Sequence, residues 1–320
     1  MKTRILPSVC LVVFAVLLNG CASVYRVPLS PEASAQLNSS NTSGVIAVEK
    51  DEIGTSINPS QAGMAVSAGL GFGLIGGLAG AIIDSSANSK SSKKAEADAV
   101  EIRDGLLDYS FDQALAKAFS QKFASAGGSP ALTAVVVSKN TAVSEISRLV
   151  QEAKGDAVAV VFVKHLMTPD FSNAVLVAEA VVCARSDALR KIAVTKTYAE
   201  QEVPVLYRNR IQTFWPLPTA DRPQKPESKT NAAAWAKDKA RDLRTALDAA
   251  AGEMAQIVYW DLNEPARESY DKDAPDGAAT MQINDYAKNA ATPVQAKVYR
   301  RENNRMWLRA TDGCVYVLSE

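Results

Sequence analysis

Two stretches, Ala157 to Leu166 (AVAVVFVKHL) and Ala174 to Ala184 (AVLVAEAVVCA), are apolar at almost every position, and Met167-Thr-Pro-Asp-Phe-Ser-Asn173 separates them. A strand with one wet face alternates apolar and polar side chains, so a strand that is apolar throughout is buried on both faces. The residues between the two runs are turn formers. The pair therefore reads as a hairpin whose second arm is central to a sheet, and both faces of that sheet need covers. This sets the expected fold class: α+β, with α/β as the close variant, built as a mixed sheet covered by helices.

The covers are legible on either side. Leu107, Phe111, Leu115, Phe119 and Phe123 recur every fourth residue with Ala114 and Ala118 beside them, giving a broad apolar helix face over 97–123. Ser110-Phe-Asp-Gln113 has capping-box spacing, so Gly105 marks a break and a fresh helix starts near 110. Thr133 to Val137 reads as strand and 141–153 as helix, through Val143, Ile146, Leu149 and Val150. With the Ala157 run they make a β-α-β order. Val45 to Val48 is a short buried strand, and 192–205 alternates well enough to pair antiparallel. These elements define a domain over 45–208.

Pro216, Pro218, Pro223 and Pro226 mark 209–229 as a Pro-rich linker or surface loop. Within it Phe214 and Trp215 form either an exposed aromatic binding tip for lipid, glycan or protein, or a pair tucked onto the core. Residues 230–262 return to helix on Trp235, Leu243, Leu247, Met254 and Ile257, with a solvated charged face. The remaining 263–320 carry strand-like runs, VYR, MWLRA and CVYVL, with a turn at Thr311-Asp-Gly313, and read as a small C-terminal antiparallel β appendage.

The segment Ala62 to Ile83 (AGMAVSAGLGFGLIGGLAGAII) stands apart, with no charge and seven glycines. On a helix, Ala65, Gly69, Gly73, Gly77 and Ala81 line one stripe almost without side chains, which lets another backbone approach closely. The glycines cost such a helix about 5–7 kcal/mol relative to alanine, so it needs lipid or a partner to persist. This pattern resembles the glycine zippers of bacterial envelope proteins. Three placements fit it: a lipid-associated, self-associating helix, a helix within the protein's own core, and a Gly-rich loop.

At the N-terminus, Lys2 and Arg4 precede an apolar run from Leu11 to Leu18, too short for a bilayer span, and Leu18-Asn19-Gly20-Cys21 follows. Here the chain resembles bacterial lipoproteins, whose signal peptide (residues 1–20 here) is cut before a Cys that carries the lipid. The resemblance implies diacylglycerol on the Cys21 thiol, an acyl chain such as palmitate on the new amino terminus, and, because Ala22 is not Asp, an outer-membrane anchor facing the periplasm. Residues 21–44, rich in Ser, Asn, Ala and Pro, then read as a flexible tether spanning roughly 25–30 Å. Of the four Cys, Cys183 and Cys314 remain in an oxidising compartment, where an even pair favours a Cys183–Cys314 disulfide over two buried thiols.

Composition bounds the chemistry. The chain has 35 basic and 35 acidic residues, and losing Lys2 and Arg4 lowers the basic count to 33, so nothing draws it to nucleic acid. Its one His, His165, lies in an apolar strand, where a structural role outweighs that of a general base. Asp271-Lys-Asp273-Ala-Pro-Asp276-Gly277 lacks the ligand and Gly positions of a calcium loop. Gly69-Leu-Gly71-Phe-Gly73 lacks the strand and Lys of a phosphate loop. No metal, cofactor or catalytic group is therefore expected. The expected function is a structural or interaction role in the cell envelope, by self-association or with an envelope partner through the zipper, with a lipid- or glycan-binding module as the alternative.

Overall fold

The structure, a computed structural model, describes residues 25–49, 52–56, 86–125, 132–138, 143–198, 201–218, 227–263, 279–287 and 291–320. In chain order these form α1 (Pro31–Asn38), β1 (Thr42–Val48), β2 (Gly54–Thr55), α2 (Ser86–Asp98), α3 (Val100–Gly105), α4 (Phe111–Ser125), β3 (Leu132–Ser138), α5 (Val143–Glu152), β4 (Ala157–Met167) and β5 (Asn173–Ala184). There follow α6 (Asp187–Arg190), β6 (Val194–Tyr198), β7 (Gln201–Pro216), α7 (Ser228–Asn263), β8 (Thr280–Asp285), β9 (Thr292–Glu302), β10 (Arg305–Ala310) and β11 (Val315–Ser319). The strands make one mixed sheet, in the order β3-β1-β4-β5-β7-β11-β10-β9-β8, with β2 on β4 and β6 on β7.

The apolar hairpin is its centre. β4 and β5 pair antiparallel from Ala157 opposite Ala184 to Met167 opposite Ala174, and all positions of β4 are buried. Alternate residues serve different covers, as the two-residue repeat of a strand requires. Leu176, Ala178, Ala180 and Val182 of β5 share a core with Leu115, Phe119 and Phe123 of α4 and Leu247, Met254 and Val258 of α7. Val175 and Val177 on the other face meet Ile283, Val298 and Leu308 from the C-terminal strands. Val158, Val160 and Phe162 of β4 meet Leu149 and Val150 of α5. Mixed pairing follows: β1 runs parallel to both β3 and β4, whereas β5 and β7 are antiparallel.

The break at Gly105 is real. α3 ends there and α4 starts at Phe111, which leaves Leu107 in the link, 83% exposed and off the apolar row. Gly105 itself is required by close approach, because a Cβ there would lie 2.9 Å from the Ala240 Cβ of α7. At that crossing α7 leaves helical geometry from Lys237 to Ala240.

Two expected boundaries move. Residues 25–44 are not a tether: Ser30 accepts a hydrogen bond from the Ala33 N–H at 3.1 Å, Pro31 opens α1, and Leu29, Ala33 and Leu37 are buried in the core. Ser-Pro-Glu is a helix start, because serine caps the free N–H groups and proline lacks the one it would waste. Residues 209–216 are not loop but the second half of β7, which Pro216 ends. The prolines that follow suggested a loop, yet Asn209, Gln212 and Thr213 are buried in strand. The C-terminal strands form the expected antiparallel group, and it is continuous with the rest of the sheet. β11 pairs parallel with β7 from Ile211 to Thr213 and extends the same sheet.

That extension curls back over the second face. Gln212 Nε2 donates to the Asn284 carbonyl at 2.8 Å, and Gln212 Oε1 accepts from the Tyr286 N–H at 2.8 Å. The Lys164 ammonium, on β4, donates to the Ala287 carbonyl at 2.6 Å. The end of β8 thus lies across the middle of β4 and β7, and the sheet forms an open trough.

Candidate functional site

One edge of β7 is occupied by β6 up to Val205 and by β11 from Ile211, which leaves a gap. Tyr25, Arg26 and Val27 fill it. The Val27 N–H donates to the Arg208 carbonyl at 2.8 Å, the Arg208 N–H returns to the Val27 carbonyl at 2.9 Å, and the Arg26 N–H donates to the Asp312 carbonyl at 3.1 Å. This strap behaves as a strand: Val27 joins Val181, Cys183 and Val205 on one face, and Arg26 points to the other.

There Arg26 meets Asp261, near the end of α7. Its Nη2 and Nε lie 2.8 and 3.3 Å from the two carboxylate oxygens, and the side chains are 5% and 3% exposed. The same carboxylate accepts from the Tyr207 hydroxyl at 2.7 Å, the Asn209 amide at 2.7 Å and Arg309 Nη2 at 3.2 Å. Burial pushes the Asp261 carboxyl up, but the Arg26 and Arg309 guanidiniums and the donated hydrogen bonds outweigh it and hold the group below the usual carboxylate range. A buried charge is tolerable only when paired and hydrogen-bonded in this way. Four segments of the chain thus converge on one carboxylate: the strap, β7, α7 and β10.

On the trough side, the Tyr25 ring lies under the Arg208 and Arg210 guanidiniums, at 3.9 and 4.8 Å. Arg208 pairs with the fully buried Glu179 at 2.9 Å, and Arg210 pairs with Asp285 at 2.6 Å. Burial and the Glu179 charge push the Tyr25 hydroxyl well above its ordinary value. Gly313 closes the strap. Its φ is +89°, and a Cβ there would come within 2.6 Å of the Arg26 Cβ.

The mouth of the trough is a cleft of about 540 Å³ between the β4–β5 turn, β8 and the chain end. Phe214 and Tyr286, edge to face at 6.0 Å, form an aromatic wall, with Asp170 and Asn284 among the polar lining groups. Asp170 serves the turn: burial raises its carboxyl, but donation from the Ser172 N–H, Ser172 hydroxyl and Thr168 hydroxyl brings it below the usual range. Clefts of this size at the mouth of a curled sheet are common ligand sites.

Phe214 and Trp215 are therefore not an exposed tip. As neighbours on a strand they point to opposite faces: Phe214 is buried in the cleft wall, and Trp215 packs on the helix side, under the Arg305 guanidinium at 4.5 Å. The expected disulfide is absent too, since Cys183 and Cys314 are free and buried. Cys183 lies opposite Val205, whereas Val315 lies opposite Ile211, six residues along β7. Cys314, one residue earlier on that parallel strand, is thus five residues or about 17 Å of strand from Cys183, far beyond the roughly 4.4–6.8 Å between Cα atoms that a disulfide spans. Burial pushes the Cys183 thiol up to about 12. His165 is buried with its ring 4.4 Å from Phe111.

Cys21 and the stripe Ala65, Gly69, Gly73, Gly77 and Ala81 lie outside the described residues, as does Asp271 to Gly277. Among the described residues no helix is long and apolar enough to cross a membrane, and no group of three or more His, Cys, Asp or Glu is placed to hold a metal. The strap residues Tyr25 and Arg26 escaped sequence reasoning, as did Asp261 and Arg309. Their signal was weak: an alternating Arg208-Asn-Arg210 inside a run otherwise suited to a strand. No family profile matches the chain, and neither a curated protein nor a solved structure is significantly similar to it.

Proposed function

We propose that the protein is a lipid-anchored component of the bacterial cell envelope, acylated at Cys21, held at the outer membrane facing the periplasm, with a structural or interaction role and no bond chemistry of its own. The observation that carries this reading is the strap. Residues that begin four positions after Cys21 are hydrogen-bonded into the sheet and ion-paired in its core, so a load on the anchor passes directly into the fold. Self-association or docking of an envelope partner is assigned to the Ala65, Gly69, Gly73, Gly77 and Ala81 stripe. Two variants test the reading. Cys21→Ala should leave the membrane fraction, and Gly73→Leu should stay there, folded, while losing its higher-order crosslinked species. An unchanged crosslink ladder would remove the stripe from the account.

A second reading, binding of a lipid or glycan, is favoured by the cleft with its Phe214 and Tyr286 wall. Mass spectrometry of material co-purified with the protein, and its loss from Tyr286→Ala, tests it.

A further inference from the structure

We propose that the strap seats the folded domain directly on the lipid headgroups, with the Thr311–Gly313 turn beside the bilayer, instead of letting it hang from a tether. This rests on the acylation of Cys21 proposed above. From Cys21 to Tyr25 is four residues, which extend at most about 14 Å. The headgroup zone takes up roughly 5–8 Å of that, because a bilayer of about 40–45 Å contains about 30 Å of hydrocarbon. What remains is shorter than the radius of gyration of a domain this size, about 19 Å. Any gap between the strap and the headgroups is therefore no wider than about 6–9 Å.

The strap also fixes which end is near. The Arg26 N–H bonds the Asp312 carbonyl, and Thr311 is exposed beside it. Arg26 is paired with Asp261 near one end of α7, while Ala240, nearer the other end of that helix, touches Gly105. Twenty-one residues at 1.5 Å each place these contacts about 30 Å apart. Thr311 and Leu107 therefore report opposite ends of the domain, and both side chains are exposed. The buried thiols of Cys183 and Cys314 leave either position free for selective labelling once replaced by cysteine.

The experiment uses the full acylated chain in phosphatidylethanolamine–phosphatidylglycerol vesicles carrying a headgroup acceptor dye. Donor dyes go on Thr311→Cys or Leu107→Cys. Transfer is expected to be at least twofold higher from position 311, and a 20-residue Gly/Ser spacer placed after Ala22 should abolish that difference. Equal transfer from the two positions, or a difference that survives the spacer, overturns the seating. The mass of the N-terminal peptide is measured on the same samples. Acyl chains present with equal transfer defeat the seating alone, and acyl chains absent from Cys21 defeat the anchor and the seating together.

Discussion

Replacing Asp261 with Asn removes the counter-charge of two buried guanidiniums and keeps the shape of the side chain. Arg26 and Arg309 are 5% and 8% exposed on their side chains, so water cannot replace the lost carboxylate. Breaking a buried pair by removing one partner costs about 3–5 kcal/mol, because the surviving charge is left in a medium that solvates it poorly. At about 2–4 °C per kcal/mol for a chain approaching this size, Tm should fall by about 6–20 °C. Urea unfolding at pH 7 measures the loss as a shift of midpoint at constant slope. The Asp261 carboxyl is held below its unfolded value of about 3.9, so its stabilisation is complete above that pH and is lost as pH falls through the folded value. Wild type and Asp261→Asn should therefore differ fully at pH 7, start to converge below about 3.9, and meet only once the pH has fallen through the lower folded value. A loss under about 1 kcal/mol at pH 7, or a difference that persists in acid, would refute the buried-pair reasoning.

Gly313→Ala puts a Cβ against Arg26 at a positive φ and should cost about 1–3 kcal/mol, with faster hydrogen exchange at the Val27 and Arg208 amides than elsewhere in β7. Thiol titration should find Cys183 and Cys314 both reactive after denaturation without reductant, and both silent in the native protein; no reactive thiols after denaturation would mean that a bridge forms. Burial pulls the Lys164 ammonium down to about 8, against roughly 10.4 when unfolded. The unfolded chain then binds the extra proton between those values, so wild-type stability should rise across pH 8–10 relative to Lys164→Met, as read from urea midpoints. Glu152→Gln, which breaks the exposed pair with Arg148, should change stability by less than about 0.5 kcal/mol in the same assay.

The hairpin at the heart of the sheet was legible because burial on both faces leaves a run such as AVAVVFV with no other reading. The α4 face and the break at Gly105 were legible for the same reason: the pattern is local. What misled was the proline run from Pro216 to Pro226, which carried the expected loop back to 209. Asn209, Arg210 and Gln212 are strand all the same: Asn209 and Gln212 are buried and Arg210 half-buried because their partners, Asp261, Asp285 and Asn284, arrive from 52 to 75 residues away. Charge pairing over that separation has no period to find. Ser and Ala in 22–44 likewise suggested a tether by composition, although Ser30-Pro31 carried a helix start and Tyr25 and Arg26 carried the strap. The cleft was half legible: Phe214 was singled out, but its wall is completed by Tyr286 and Asn284 only once the sheet curls.

In the proposed arrangement an acylated Cys21 stands four residues from a strap built into the sheet. Tandem mass spectrometry of the N-terminal peptide of the membrane-extracted protein tests it most directly. The expected chain begins at Cys21, with a diacylglyceryl group on the thiol and a further acyl chain on the amino group. A mature terminus at any other residue, or an unmodified Cys21, contradicts it.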